Sequence, residues 1–152
     1  MIRPAGREDR PSIEAITAAA ANFTPEERQC VAELWSSYLE EGESSGYEFI
    51  VYAEEGGQVQ GYACFGSHPL TDGVFDLYWI AVLPDARGRG IGRALLDRVE
   101  EQVRARKGRL LLIETSDGPT YAEARHLYAA SGCSVQATIS DFYAPGDSLV
   151  IY

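Results

Sequence analysis

The tightest constraint on this chain lies between Val74 and Lys107, where one periodicity hands over to another. Val74-Phe75-Asp76-Leu77-Tyr78-Trp79-Ile80-Ala81-Val82 is almost wholly apolar and rich in aromatic and β-branched residues. That is the composition of a central strand buried on both faces. From about Gly90 to Lys107 the residues Ile91, Leu95, Val99 and Val103 return every fourth position, as on one side of a helix. The join between them, Leu83-Pro84-Asp85-Ala86-Arg87-Gly88-Arg89-Gly90-Ile91-Gly92-Arg93, alternates glycine with arginine.

The rest of the chain supplies elements on either side of this unit. A short strand is expected around Ile2-Arg3, then a helix capped by Asp9 with Ile13 and Ile16 facing inward. Thr24-Pro25-Glu26-Glu27 is a capping box with proline at the first helical position. It opens a helix carrying Val31, Leu34, Trp35, Tyr38 and Leu39 at helical spacing and closed by Gly42 and Gly46. Glu48 to Ala53 and Val59 to Phe65 read as a hairpin around Glu55-Gly56-Gly57-Gln58, with a loop from Gly66 to Gly73 before the central strand. Leu110 to Glu114 reads as the next strand. A helix then starts near Pro119, capped by Asp117 or Gly118, and ends at Gly132. Ser134 to Tyr143 and Ser148 to Tyr152 read as two final strands. This order predicts a mixed α/β fold: one domain over residues 1–152, with a mostly antiparallel sheet of six to seven strands and about four helices on both faces.

Composition narrows the function. The chain carries 13 basic and 23 acidic residues, a net charge of -10, which disfavours nucleic acid or an anionic membrane as partner. The start is charged and without an apolar stretch, no apolar run is long enough to span a bilayer, and a cytoplasmic location is expected. Cys30, Cys64 and Cys133 have no Cys-x-x-Cys spacing, so neither a disulfide framework nor a metal site is expected. Residues 87–109 hold eight basic side chains against Asp97, Glu100 and Glu101, a segment charge of +5 that leaves -15 for the remainder. Such a split suits an anionic ligand at the segment and a cationic one elsewhere, although a solvated helix face would show the same pattern.

Closely spaced glycines let backbone N–H groups converge on an anion, and a helix start adds unpaired donors and a positive dipole end. With Arg87, Arg89 and Arg93 beside it, the loop reads as a pyrophosphate cradle. The nucleoside-triphosphate loop is excluded because Arg93-Ala94 follows Gly92 where Lys-Ser/Thr is needed. The dinucleotide fingerprint fails because its last glycine would fall on Arg93 or Leu95.

Arg87-Gly88-Arg89-Gly90-Ile91-Gly92, after Val82-Leu83-Pro84, resembles the coenzyme A loop of the GCN5-related N-acetyltransferase (GNAT) family. Ala124-Arg125-His126-Leu127-Tyr128-Ala129-Ala130-Ser131-Gly132 resembles that family's tyrosine-bearing helix, with Cys133 where phenylalanine is usual. The resemblance covers nearly the whole chain and implies acetyl-coenzyme A (acetyl-CoA) as donor and an amine as acceptor. It puts the thioester against Ile80, Ala81 and Val82, and the cofactor on Arg87 to Arg93, Ser116 and Tyr121. It makes Tyr128 the acid that protonates the departing thiolate. For the base, Asp76 and a partly buried Glu114 both stand, with the loop residue His68 a weaker alternative. Tyr62, His68, Tyr78, Trp79, Asp141 and Tyr143 are the acceptor-pocket candidates, since aromatic walls with carboxylates suit a cationic small molecule or peptide amine. No metal is expected, homodimerisation stays open, and a CoA-binding module without acceptor chemistry is the alternative function.

Overall fold

The computed structural model describes residues 1–152 and divides into two compact units, Met1–Leu111 and Leu112–Tyr152. Together they hold seven strands and four α-helices, the expected mixed α/β class.

In the first unit, β1 (Ile2–Pro4), β2 (Glu48–Ala53), β3 (Val59–Ser67) and β4 (Val74–Val82) pair antiparallel in chain order. The helices α1 (Arg10–Ala19) and α2 (Pro25–Glu41) cover one face. There Ile13, Ile16, Val31 and Trp35 close over Phe49, Val51, Tyr62, Cys64 and Ala81. The stripe Ile91, Leu95, Val99 and Val103 of α3 (Ile91–Ala105) is buried as its spacing requires. Full burial of each such side chain contributes about 1.5–3 kcal/mol. β3 is buried on both faces from Val59 to Gly66, so it anchors the layers.

Local chemistry explains the helix ends. Thr24 Oγ1 accepts the Glu27 N–H at 3.1 Å while the Glu27 carboxylate accepts the Thr24 N–H at 2.7 Å. This reciprocal pair fixes the start of α2. Asp9 departs from expectation. It stands at the cap position of α1 but its carboxylate caps nothing there. It accepts instead from Arg3 Nη1 at 2.7 Å, Arg3 Nη2 at 2.8 Å and the Gly6 N–H at 2.8 Å, tying β1 to the helix start. β3 also runs two residues beyond the expected Phe65, so the following loop spans only 68–73.

The second unit contains β5 (Leu110–Ser116, which begins at its boundary), α4 (Ala122–Ala130), β6 (Ala137–Ala144) and β7 (Asp147–Ile151). β7 pairs antiparallel with both β5 and β6. Neither expected cap of the helix after Pro119 uses a side chain. A single 3-10 turn, Pro119–Tyr121, leads into α4, and the Asp117 carboxylate accepts the Ser148 N–H at 2.8 Å. β6 starts at Ala137 rather than Ser134 and is exposed along its length.

The hydrogen bonds from Arg3, then the Gly6 N–H and the Arg3 charge, hold the Asp9 carboxyl below its ordinary pKa against the opposing effect of burial. A lowered folded-state value means that the stabilisation is present above the usual carboxylate range and is lost as pH falls through the folded value. Asp9→Asn is expected to lower stability by about 1–3 kcal/mol near neutral pH in urea unfolding, with the deficit shrinking below about pH 4.

Candidate active site

The loop after β4 is built by its backbone. Leu83 donates its N–H to the Gln60 carbonyl at 2.9 Å, and a 3-10 turn over Pro84–Ala86 tucks Ala86 into the interior. Gly88 and Gly90 then adopt φ values of +72° and +79°. A Cβ on either would meet nothing within 4 Å. These glycines therefore serve the left-handed backbone, not a close approach. Gly90 caps α3, whose first helical bond is Ala94 N–H to the Gly90 carbonyl at 2.9 Å. Helix geometry leaves the amides before it without intrahelical acceptors, and the dipole adds partial positive charge there.

The arginines do not act as one set. Arg89 pairs with Glu54, and Arg93 Nε lies 2.8 Å from Asp97 Oδ1. Arg87 directs Nε toward the Val82 carbonyl at 3.5 Å. Farther along α3, Arg104 pairs with Glu100 and Arg106 with Glu48. Much of the segment's positive charge is thus matched locally. These pairs are solvent-exposed, and each contributes about 1 kcal/mol or less, so a diphosphate competes readily for Arg89 and Arg93.

β4 carries a second group of candidate side chains. Ile80 and Val82 are half-buried and Ala81 is buried. The register passes from Cys64 opposite Trp79 to Phe65 opposite Leu77, which leaves Tyr78 as an extra residue in β4. Such a bulge re-aims neighbouring side chains. Asp76 lies opposite Gly66, and its Oδ2 is 2.7 Å from His68 Nδ1. His68, the weaker of the base candidates, thus has a carboxylate partner at its ring. Tyr78 adjoins Asp76, and burial first, then the Asp76 charge, pushes its phenol up to about 12. Tyr47 packs edge-on against Tyr78 with ring centroids 5.3 Å apart. The backbone of Gly46 passes so close to Gly66 that an added Cβ would lie 1.9 Å from its carbonyl oxygen.

The other acceptor candidates separate. Tyr62 is 0% exposed, and its hydroxyl meets Thr17 Oγ1 at 2.9 Å. It is a core residue under the sheet, which removes it as a pocket wall. Trp79 is half-buried with its ring edge-on to Phe23 at 5.1 Å. Asp141 is exposed at φ +54°, and its carboxylate accepts the Gly146 N–H at 2.7 Å. Its work is to hold the β6–β7 turn. Tyr143 is 49% exposed against Phe142.

In the second unit, Tyr128 is buried, with its ring 5.6 Å from that of Tyr152. Burial raises its pKa, with Cys133 and Tyr152 adding to the effect. The hydroxyl therefore keeps its proton throughout the neutral range. Glu114 was expected to be partly buried but is exposed on β5 opposite Ile151. Ser116 is buried, yet its hydroxyl accepts the Gly118 N–H at 2.8 Å and donates to Asp147. That engagement ties the end of β5 to the turn before α4. Tyr121 is half-buried at the start of α4.

Two of the three thiols are shifted away from reactivity. Burial raises the thiol pKa of both Cys64 and Cys30, the reverse of what activates a cysteine nucleophile. Tyr47 and the His68–Asp76 contact escaped sequence analysis, although the two partners flank one short strand connection and so had a detectable signal.

The sequence model described as the acetyltransferase (GNAT) family matches residues 13–132. A crystal structure from Desulfovibrio desulfuricans assigned to that family is 39% identical, with a TM-score of 0.95 over 100% of this chain and 96% of that one. The L-amino acid N-acyltransferase MnaT of Escherichia coli is 40% identical over 62 residues, which are 40% of this chain and 36% of that protein. The structure of yncA from Salmonella typhimurium with its cofactor acetyl-CoA has a TM-score of 0.77 and 22% identity, over 99% of this chain and 90% of that one. The last likeness shows the fold alone. A left-handed glycine pair leading into a helix start fits the diphosphate of CoA, and with that match the conclusion is direct: the chain belongs to the GNAT family and is an acetyl-CoA-dependent N-acetyltransferase.

Proposed function

We propose that the protein transfers the acetyl group of acetyl-CoA directly to a primary amine of a cationic small molecule or peptide, with residues 1–152 acting as one catalytic domain. The supporting observation is the backbone at Gly88 and Gly90, whose positive φ values lead into the start of α3. Arg87, Gly88, Arg89, Gly90, Ile91, Gly92 and Arg93 hold the diphosphate, and the N–H groups of Ile80, Ala81 and Val82 receive the pantetheine and the carbonyl oxygen. Bound acetyl-CoA supplies an activated thioester. An oxyanion donor from the backbone contributes about 2.7–4 kcal/mol to such a reaction.

Tyr128 donates the proton that the departing thiolate needs, and its raised pKa keeps that proton available. The raised thiol pKa values of Cys30 and Cys64 support transfer without a covalent enzyme intermediate. The -15 charge outside residues 87–109 favours a cationic acceptor and disfavours nucleic acid and anionic membranes. MnaT, an L-amino acid N-acyltransferase, makes amino acids one class of acceptor to test. No helix is long and apolar enough to cross a membrane, and a cytoplasmic location is proposed.

The deciding experiment is thiol release from acetyl-CoA over polyamines, aminoglycosides, L-amino acids and peptide N-termini. Turnover with at least one class is expected; saturable acetyl-CoA binding with no release from any of them would replace the enzyme reading with a binding module. Gly90→Ala should weaken acetyl-CoA binding about tenfold in calorimetry, because a side chain at positive φ costs about 1–2 kcal/mol. Tyr128→Phe should lower kcat about a hundredfold or more with acetyl-CoA affinity retained. Since the Tyr128 pKa is raised, wild-type kcat should show no alkaline decline from this group below about pH 10.

A further inference from the structure

The first unit contains a hydrogen-bonded pair that the loop and tyrosine motifs do not explain. Asp76 projects from β4 just before its bulge, with a side chain only 17% exposed. Its Oδ2 lies 2.7 Å from Nδ1 of His68, whose side chain is 48% exposed. The His68 backbone is itself fixed. Its N–H donates to the Val74 carbonyl at 2.8 Å, and its carbonyl accepts the Thr71 hydroxyl at 2.8 Å. A half-exposed imidazole is thereby held at both its ring and its main chain.

A carboxylate at Nδ1 selects the tautomer with the proton on that nitrogen, which leaves the Nε2 lone pair as the basic site. Tyr78 lies beside the Asp76 carboxylate, with the Tyr47 ring packed edge-on against it at 5.3 Å between centroids. Gly66 lets the Gly46 backbone close down over the strand next to Asp76. An imidazole backed by a carboxylate is suited to take a proton from an ammonium group. We infer that His68 is the general base of the transfer, taking the acceptor's proton at Nε2, and that Asp76 is its positioning residue. This rests on the acetyltransferase reading and replaces an unassisted carboxylate as base.

The step balances without any further reagent. The acceptor ammonium loses one proton to His68 Nε2, and its freed lone pair forms the C–N bond. The C–S bond of the thioester breaks as that bond forms, and the thiolate receives its proton from Tyr128. The acylated nitrogen gives up its second proton to solvent, which reprotonates Tyr128, and solvent also takes the proton from His68, so that one proton is released per turnover. Asp76 meets the His68 ring, Tyr78 stands beside that carboxylate on β4, and Asp72 lies in the same loop, where its carbonyl accepts from Arg109 Nε at 2.7 Å; Glu48 is taken by Arg106. None of the nearby cations pairs with Asp76, which leaves its carboxylate to the imidazole and the Tyr78 phenol.

The test uses the full chain, acetyl-CoA, and spermidine and L-methionine as probe acceptors, with kcat/KM measured between about pH 6 and pH 9. A base that must be neutral to act gives a rate that falls toward low pH. His68→Gln is expected to lower kcat/KM at least about a hundredfold near pH 7 and to abolish that acid limb, with the KM for acetyl-CoA changed less than about twofold. Asp76→Asn should lower kcat/KM and displace the limb without abolishing it, Asp76→Glu should restore part of the rate, and His126→Gln should change nothing. In parallel, long-range proton–nitrogen NMR of the two histidines should find the His68 proton on Nδ1 in the wild type and lose that preference in Asp76→Asn. His68→Gln with an unchanged rate and profile would overturn the assignment while leaving the enzyme reading intact. No thiol release by wild type with the whole amine panel would instead strike the enzyme reading, and a His68 proton found on Nε2 would overturn the dyad whatever the activity.

Discussion

Burial of β3 and β4 between helices is the constraint on which the first unit depends. β3 is covered on both faces, and its pairing with β4 sets where every useful side chain on that strand points. Gly61 shows how tight this layer is. A Cβ there would lie 2.9 Å from the Ala81 carbonyl oxygen and 3.3 Å from Ile91. Bare backbone at this position lets α3 start close to the end of β4, where the glycine–arginine loop must turn. Packing, more than the loop's own sequence, brings strand end and helix start together.

The same strand is put to two uses. Its last residues, Ile80 to Val82, lead into the glycine–arginine loop, while Asp76 near its beginning holds an imidazole. The bulge at Tyr78 separates these regions and changes the facing of the residues between them. Charge is divided in a parallel way. Helix α3 matches much of its positive charge with its own carboxylates and with Glu48, so a ligand at the loop meets arginines held only by weak, exposed pairs.

Several assignments legible as residue types changed meaning once partners were visible. Asp9 looked like a helix cap and proved to be a clamp on Arg3 and Gly6. Tyr62 and Asp141 carry chemistry suited to a cationic acceptor, yet one is sealed in the core and the other ties a turn. Ser116 likewise gives its hydroxyl to Gly118 and Asp147. A single side chain has several possible hydrogen-bond partners, and sequence distance does not rank them. His68 gains a partner that its sequence position does not show, because Asp76 lies across a strand connection.

The sequence alone determined the element order, the mixed α/β class, the two amphipathic helices around the core, and the glycine–arginine loop with the family it resembles. These are carried by periodicity, capping residues and glycine placement, all of which act over a few neighbouring positions. Only the tertiary structure decided the strand register, the bulge at Tyr78, the ion pairs of Arg89 and Arg93, and the meeting of His68 with Asp76. Those depend on which distant groups burial brings within hydrogen-bond reach, and a one-residue change in register would send the same side chains to the opposite face.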